Sequence, residues 1–406
     1  MGPTGGTDRP CRPGHNAPQC TVRLETLHAL LSGPGQDLLA RAAREYDGSD
    51  ALALGSRLRR RHDPDLVAAA LSQLELRRKA MAKFGDDAAR MYFTPEALEQ
   101  ATPRTVAEHR ARRLADSGRT SLVDLGCGIG SDLAAAARAG LHVTGVERDP
   151  LRAELARANL AALTLPGRVR VGSAEDTDLS EFDLVFADPA RRDVRGRVFD
   201  PAAYSPPWGF VEGLLGSRTT CVKISPAIPH RLVPSGVEAE WVSDRGEVKE
   251  AALWSGSLAG TQRRATLLPG GATLAATGVR ATTAPVGAVL YEPDGAVIRA
   301  GLVGELAEQL GACLLDPRIA YLTAEQAVET PFARRYAVVE QLPYREKQLR
   351  AALRARDVGT LTIKKRGVDI SPEALRRRLA LRGSRPATLV LTRVSDAATA
   401  LLVERA

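Results

Sequence analysis

Three glycines at alternate positions, Gly126, Gly128 and Gly130, close the apolar run Ser121–Leu125 and open a helical pattern at Ser131-Asp132. Glycine lets the backbone approach a ligand closely, and the free N–H groups of a helix N-terminus attract an anionic group. The same residues also suit a tight strand-to-helix turn without a ligand. Glu147 adds the next observation, standing at the end of a second apolar run, Leu141–Val146. Its interval from Gly126 is that of adjacent strands, and a carboxylate there can accept both hydroxyls of a ribose. A third run ends at Val171 and is followed by Gly-Ser-Ala-Glu-Asp, where a main-chain amide and a carboxylate, Glu175 or Asp176, can meet an adenine ring. The fourth run, Val185-Phe-Ala, delivers Asp188 to the carboxyl edge of the sheet, where open α/β folds bind ligands. Arg191 and Arg192 follow; their planar, always-charged groups clamp a phosphate or stack on a base, or else belong to an exposed basic loop.

Elements that alternate short apolar runs with helical patterns must carry these residues, and between 119 and 268 the chain reads that way. The alternation predicts a mainly parallel, doubly wound sheet over 118–270. Upstream, 23–117 has apolar residues at helical spacing, with breaks at Gly33-Pro34, Asp47-Gly48 and Asp63-Pro64, and predicts a helical region. Its last helix starts with Thr94 as N-cap and Pro95 at the first helical position. Residues 1–22, rich in Gly and Pro, predict a disordered tail. Downstream, 280–318 reads as a strand Gly287–Tyr291, a turn Glu292–Gly295 and a strand Ala296–Ile298, a hairpin followed by a helix. Residues 319–406 read as a small α+β module with strands at Tyr336–Glu340, Val358–Ile363 and Ala387–Thr392.

Composition agrees with an α/β core, since 44% of residues are hydrophobic but only 4% aromatic, leaving Ala, Leu and Val to fill it. Five cysteines without a CxxC pair suggest neither a disulfide framework nor a zinc site, so no metal and a reducing, cytoplasmic compartment are expected. Positions 1–22 lack an apolar signal region and no apolar run long enough to span a bilayer follows, so no membrane span is expected. The net charge of +8 suits an acidic partner such as nucleic acid, or simply solubility.

DLGCGIG, VTGVERDP, GSAED and FADPARR, in this order, resemble the motifs of class I S-adenosylmethionine-dependent methyltransferases. The glycines follow GxGxG rather than the GxGxxG of dinucleotide enzymes, which favours S-adenosylmethionine as cofactor. The resemblance implies an α/β fold with a Rossmann-like seven-stranded sheet. It implies that Asp124, Gly126, Gly128 and Gly130 surround the methionine part of the cofactor. Glu147 then holds the ribose with Arg148 beside it, and Ala174 and Glu175 lie near the adenine. Cys127 is a variable, packing position of that loop. The catalytic expectation falls on Asp188, Pro189 and Arg191: base-nitrogen methyltransferases carry Asn or Asp, Pro, Pro and an aromatic here, and the polar side chain accepts a hydrogen bond from the target amine. Ala190 and Arg191 depart from that pattern, which removes the ring that stacks a flipped base.

Carbon-5 pyrimidine methylation would need a cysteine nucleophile, and Cys221, at the start of its strand, reads as a core residue. Lys223 and Ser225 are better placed to line the site, although Lys223 also suits a solvent-facing end. Glu99, Gln100 and Thr102 read either as a lid over the cofactor or as packing and cap residues. The segment 319–406, with its basic turn Lys364-Lys-Arg366 and Arg376–Arg378, resembles the THUMP-like domain of a bacterial methyltransferase family, and 280–318 resembles that family's small ferredoxin-like insert. These likenesses imply methylation of a base of tRNA or rRNA. The alternatives are a small-molecule or protein methyltransferase, and an RNA-binding protein that keeps the fold without turnover.

Overall fold

The computed structural model describes residues 23–46, 50–191 and 204–405. The expected tail at 1–22, the break at Asp47-Gly48 and Arg192 lie outside the described residues.

Helices α1 (Leu24–Leu31), α2 (Gly33–Glu45), α3 (Ala51–Leu58), α4 (Pro64–Phe84), α5 (Pro95–Gln100) and α6 (Arg104–Ala115) form the N-terminal region. Asp63 caps α4 through the amides of Asp65 and Leu66, and Thr94 caps α5 through the amide of Ala97. The α/β part alternates β1 (Ser121–Leu125), α7 (Ser131–Arg138), β2 (His142–Glu147), α8 (Pro150–Ala162), β3 (Arg168–Val171), β4 (Leu184–Ala187), the short β5 (Ala190–Arg191) and β6 (Tyr204–Ser205), α9 (Trp208–Ser217) and β7 (Thr220–Ile224). It closes with β8 (Glu238–Asp244), β9 (Glu247–Trp254), β10 (Arg263–Leu268) and β11 (Ala272–Ala275). In space the sheet runs β11-β10-β8-β9-β7-β4-β1-β2-β3. The seven expected strands run from β3 to β8; β10 and β11 extend that edge to nine.

Successive strand residues point to opposite faces. Leu122, Leu184, Phe186, Cys221 and Trp254 join the core beneath α1–α8, while Val123, Leu125, Val185, Ala187, Val222 and Ile224 join the core on the other face. Cys221 is fully buried there, and burial pushes its thiol well up, as befits a core residue rather than a nucleophile.

The segment after Pro269 differs from the expected hairpin. Of the hairpin's two expected strands the first is β12 (Val289–Pro293), but in place of the second Gly295–Ala300 is helix α10, followed by α11 (Val303–Leu310). Asp294-Gly295, which reads as a hairpin turn, is a helix start: the Asp294 carboxylate accepts the amide of Ala296, and Ala296, Val297 and Ala300 are buried in the core they share with the catalytic sheet. The remaining elements are β13 (Cys313–Asp316), β14 (Ile319–Ala324), β15 (Ala333–Pro343), α12 (Glu346–Ala355), β16 (Val358–Lys365), α13 (Pro372–Leu379), β17 (Arg385–Val394) and β18 (Ala397–Arg405). They build a second sheet of order β13-β14-β12-β15-β18-β17-β16. The expected boundary between 318 and 319 therefore falls inside one sheet, because β12 pairs with both β14 and β15.

A buried ionic clamp ties α6 to strand β8 of the sheet. His109 Nε2 lies 2.9 Å from Glu240, and Arg113 reaches Glu238 at 2.7 Å and Glu240 at 3.0 Å while stacking over the Trp254 ring. Burial acts to raise the Glu240 carboxyl, but its bonds to His109, Arg113 and Thr266 win and hold it at about 2 against an ordinary 4.5. A carboxyl depressed on folding stabilises above its unfolded value and loses that contribution as pH falls, here between 4.5 and about 2. Glu240→Gln removes the buried carboxylate that His109, Arg113 and Thr266 share, leaves Arg113 the carboxylate of Glu238 alone, and costs about 3–5 kcal/mol, read by urea unfolding at neutral pH. The difference from wild type shrinks as the pH falls through that window.

Candidate active site

The glycine loop between β1 and α7 follows from backbone demands that other residues meet poorly. Gly126 sits at φ +85°, and a Cβ there would stand 3.6 Å from the Asp188 carbonyl. Gly130, at φ +80° just before α7, would bring a Cβ to 3.3 Å from that of Ala156. Cys127 packs against Gly145 of β2, the packing role expected for it. Glu147 ends β2 buried, with its two carboxylate oxygens on the amides of Gly128 and Asp149, each at 2.9 Å. Each oxygen keeps a lone pair, so the fixed carboxylate can still take two ribose hydroxyls.

This loop floors a cleft of about 690 Å³. Asp124, Gly126, Gly128, Glu147, Arg148, Ala174, Glu175, Asp188 and Pro189, from the cofactor and catalytic expectations, all line it; Gly130 does not. Asp176 is not part of the lining; of the two alternatives, Glu175 is. Gln100, Thr102, Lys223 and Ser225 also line it, and Glu99 does not. The backbone of Arg191 pairs with Tyr204 in the β5–β6 ladder. That pairing brings Tyr204 to the cleft wall, so a ring stands beside the motif that lacks one.

Four neighbouring strands present a row of charges at this edge. Asp124, Asp188, Lys223 and Glu250 fall at alternating positions on the face beneath the N-terminal helices, in the strand order β1-β4-β7-β9. Lys223 Nζ donates to Asp188 Oδ2 at 2.6 Å and to Thr102 Oγ1 at 3.0 Å, so it does not end in solvent. Thr102 in turn donates to Asp132 Oδ2 at 2.8 Å. Arg110, fully buried over the Phe186 ring, bridges Asp132 and Glu250. Burial opposes the Lys223 charge, but Asp188, Asp132 and Glu250 outweigh it and raise the ammonium above its usual range.

The N-terminal helices deliver Thr102. Gln73 and Asn159 hold the backbone of Tyr92 and Phe93 through four buried amide hydrogen bonds of 2.7 to 3.2 Å. Lys83 then gathers the carbonyls of Leu98, Glu99 and Ala101 within 3.0 Å, fixing the turn that ends at Thr102. Thr102, 2% exposed, is thus a buried member of the site wall rather than a mobile cover. Arg110 and Glu250 are not among the site residues expected from the sequence. Their signal was a charged residue inside an apolar pattern, which is buried only when paired.

Asp124 tests the cofactor. It is 1% exposed, lines the cleft, and neither carboxylate oxygen has a partner among the described residues. Burial first, then the neighbouring Asp132 and Asp188, push its carboxyl well up. An orphaned acid beside a glycine loop fits the ammonium of an amino-acid moiety, and Glu147 fits the ribose of the same molecule. Bound there, S-adenosylmethionine supplies a methyl group activated by its sulfonium. No group of three or more metal-ligating side chains occurs among the described residues, and none of their helices is long and apolar enough to cross a membrane.

Comparison with known proteins agrees with this geometry. A methyltransferase domain model matches residues 122–193, a THUMP domain-like model matches 333–405, and a domain of unknown function matches 23–80. Two Mycobacterium tuberculosis proteins, from strains CDC 1551 and H37Rv, are each named an uncharacterized S-adenosylmethionine-dependent methyltransferase. Both are 41% identical to this chain over 340 residues, covering 79% of it and 90% of their own length. The crystal structure of a methyltransferase candidate from Porphyromonas gingivalis W83 overlays with a TM-score of 0.70, at 24% identity, over 89% of this chain and 99% of that one; the likeness is one of fold.

Proposed function

The chain belongs to the S-adenosylmethionine-dependent methyltransferases, and on that premise we propose that it methylates a base of tRNA or rRNA in the cytoplasm. The observation that carries the RNA reading is where the charge lies. Residues 333–405 hold 17 Lys and Arg against 7 Asp and Glu, an excess of +10, whereas the whole chain carries +8. The THUMP-like module is therefore the cationic part of a molecule that is otherwise slightly acidic, as a phosphate-binding appendage to a catalytic body would be. By analogy, the RNA-binding THUMP domains it resembles support the same reading.

Within the basic triplet of α13, Arg378 is engaged by Glu346 at 2.8 Å, while Arg376 and Arg377 are exposed and make no ion pair among the described residues. These two are the ones available to phosphates. In the cleft, Asp188 and Pro189 meet the acceptor, and Asp124, the glycine loop, Glu147, Arg148, Ala174 and Glu175 hold the cofactor. Arg191 is placed by its backbone at the same rim.

Arg376→Ala/Arg377→Ala is expected to weaken binding to total tRNA about tenfold at moderate salt and to make log Kd against log salt shallower by about 1–2, since each phosphate contact contributes about 0.7–0.9 to the slope. Filter binding across a salt series checks this. An unchanged slope removes the triplet from the interface; no RNA binding by the wild type removes the RNA reading itself.

A further inference from the structure

The ammonium of Lys223 bears on which atom the enzyme methylates, an inference that rests on the base-methylation reading above. We propose that Lys223 is a positioning residue for the methyl acceptor: by occupying Asp188 Oδ2 it turns Oδ1 to the N–H of an acceptor nitrogen and keeps that carboxylate ready to take its proton.

Three observations carry this. The first is geometry: Lys223 Nζ sits 2.6 Å from Asp188 Oδ2 and 3.0 Å from Thr102 Oγ1, a two-point anchor on adjacent strands and the wall opposite. The second is availability. Asp188 Oδ1 takes no hydrogen bond from a described residue, its side chain is 34% exposed, and both residues line the cofactor cleft. The third is the charge around the pair. Asp124 on β1, Asp132 on α7 and Glu250 on β9 all crowd this edge, and Arg110 is already shared between Asp132 and Glu250. Lys249, the cation of β9 in the lining, is paired with Glu247. Lys223 is thus the cation that contacts Asp188 among these like-charged neighbours.

A nitrogen acceptor needs this arrangement. Its lone pair would make the new N–C bond as the methyl group's bond to the sulfonium breaks, with that electron pair staying on the sulfur, and the nitrogen, left with a positive charge, must lose its proton. That proton passes to Asp188 Oδ1 and on to water, and the base is left as the neutral methylated amine. A ring carbon would need a nucleophile first, and fully buried Cys221 does not reach the cleft.

The test compares wild type, Lys223→Met and Lys223→Arg by the pH dependence of labelled methyl transfer and by cofactor affinity. The expected result is that the acid limb of the Lys223→Met profile moves up by about one pH unit or more and activity recovers toward alkaline pH. Lys223→Arg keeps a limb near the wild-type position, and cofactor Kd changes less than about threefold in both. A wild-type limb in Lys223→Met, or a loss equal at every pH with normal cofactor binding, overturns the proposal. If Lys223→Met does not fold, Thr102→Val removes only the second anchor and is expected to shift the limb in the same direction. Should label enter an acceptor other than RNA, the RNA reading fails while the profile is still read on that acceptor. Carboxyl titration of ¹³C-aspartate protein, with Asp188 assigned by its loss in Asp188→Asn, reads the same shift without turnover; no shift there also overturns the proposal.

Discussion

Asp188→Ala is expected to lower methyl transfer by about 10²–10³-fold while cofactor affinity stays within about threefold. The carboxylate sits at the carboxyl edge of β4, outside the glycine loop, with one oxygen on Lys223 and the other open to the cleft. On the proposed reading, removing it deprives the acceptor of its hydrogen-bond partner at the moment positive charge develops on it, so the loss falls on kcat. It also leaves Lys223 with Thr102 as its only hydrogen-bonding partner among the described residues, a stability cost that is separated by Asp188→Asn. The amide keeps the shape and a hydrogen-bond acceptor but not the charge, and activity intermediate between wild type and alanine is expected. Isothermal titration for the cofactor and single-turnover transfer for the chemistry distinguish the two effects. Unchanged turnover in Asp188→Ala would remove the residue from the reaction.

Glu147→Ala should have the converse signature. Its carboxylate links the amide of Gly128 to that of Asp149 and, on the proposed reading, offers its remaining lone pairs to a ribose. Hydrogen bonds to a charged group contribute about 1.5–3 kcal/mol each, so losing two to the ribose weakens cofactor binding by about 10²–10³-fold or more. Because the same contacts exist before and during the transfer, the effect falls on Kd and KM, with kcat at saturating cofactor nearly retained. A Kd within about threefold of wild type would mean that the ribose lies elsewhere. Far-ultraviolet circular dichroism guards against a trivial loss of fold, since Gly128 also loses its anchor.

These two residues were legible for the same reason. Glu147 and Asp188 end strands whose apolar patterns are local, and strand ends carry their side chains to one edge whatever the rest of the chain does. The spacing of Gly126, Gly128 and Gly130 is equally local. Lys223 reads in the sequence as a lining residue and Thr102 as a lid or a packing and cap residue, but their junction is not legible there, because it depends on the register of β4 against β7 and on where the helical region docks. Arg110 and Glu250 depend on the same docking and are far apart in sequence. The misread helix α10 has the opposite lesson. Asp294-Gly295 is a good turn pair and equally a good cap pair; packing against β8 and β10 decided between them. Strand β18 was missed because its apolar centre, Ala400–Val403, does not alternate: it is buried on both faces, between β15 and β17. Its turn signal was present in Ser395-Asp396, both at positive φ, a pair suited to a two-residue hairpin.

The most direct measurement of the central claim is transfer of tritium from methyl-labelled S-adenosylmethionine into separate RNA, protein and small-molecule fractions of a cell extract by the purified full chain. Label is expected in tRNA or rRNA, sensitive to ribonuclease, and absent with Asp188→Ala. Label confined to the protein or small-molecule fraction, or no transfer at all by a chain that binds the cofactor, would contradict it.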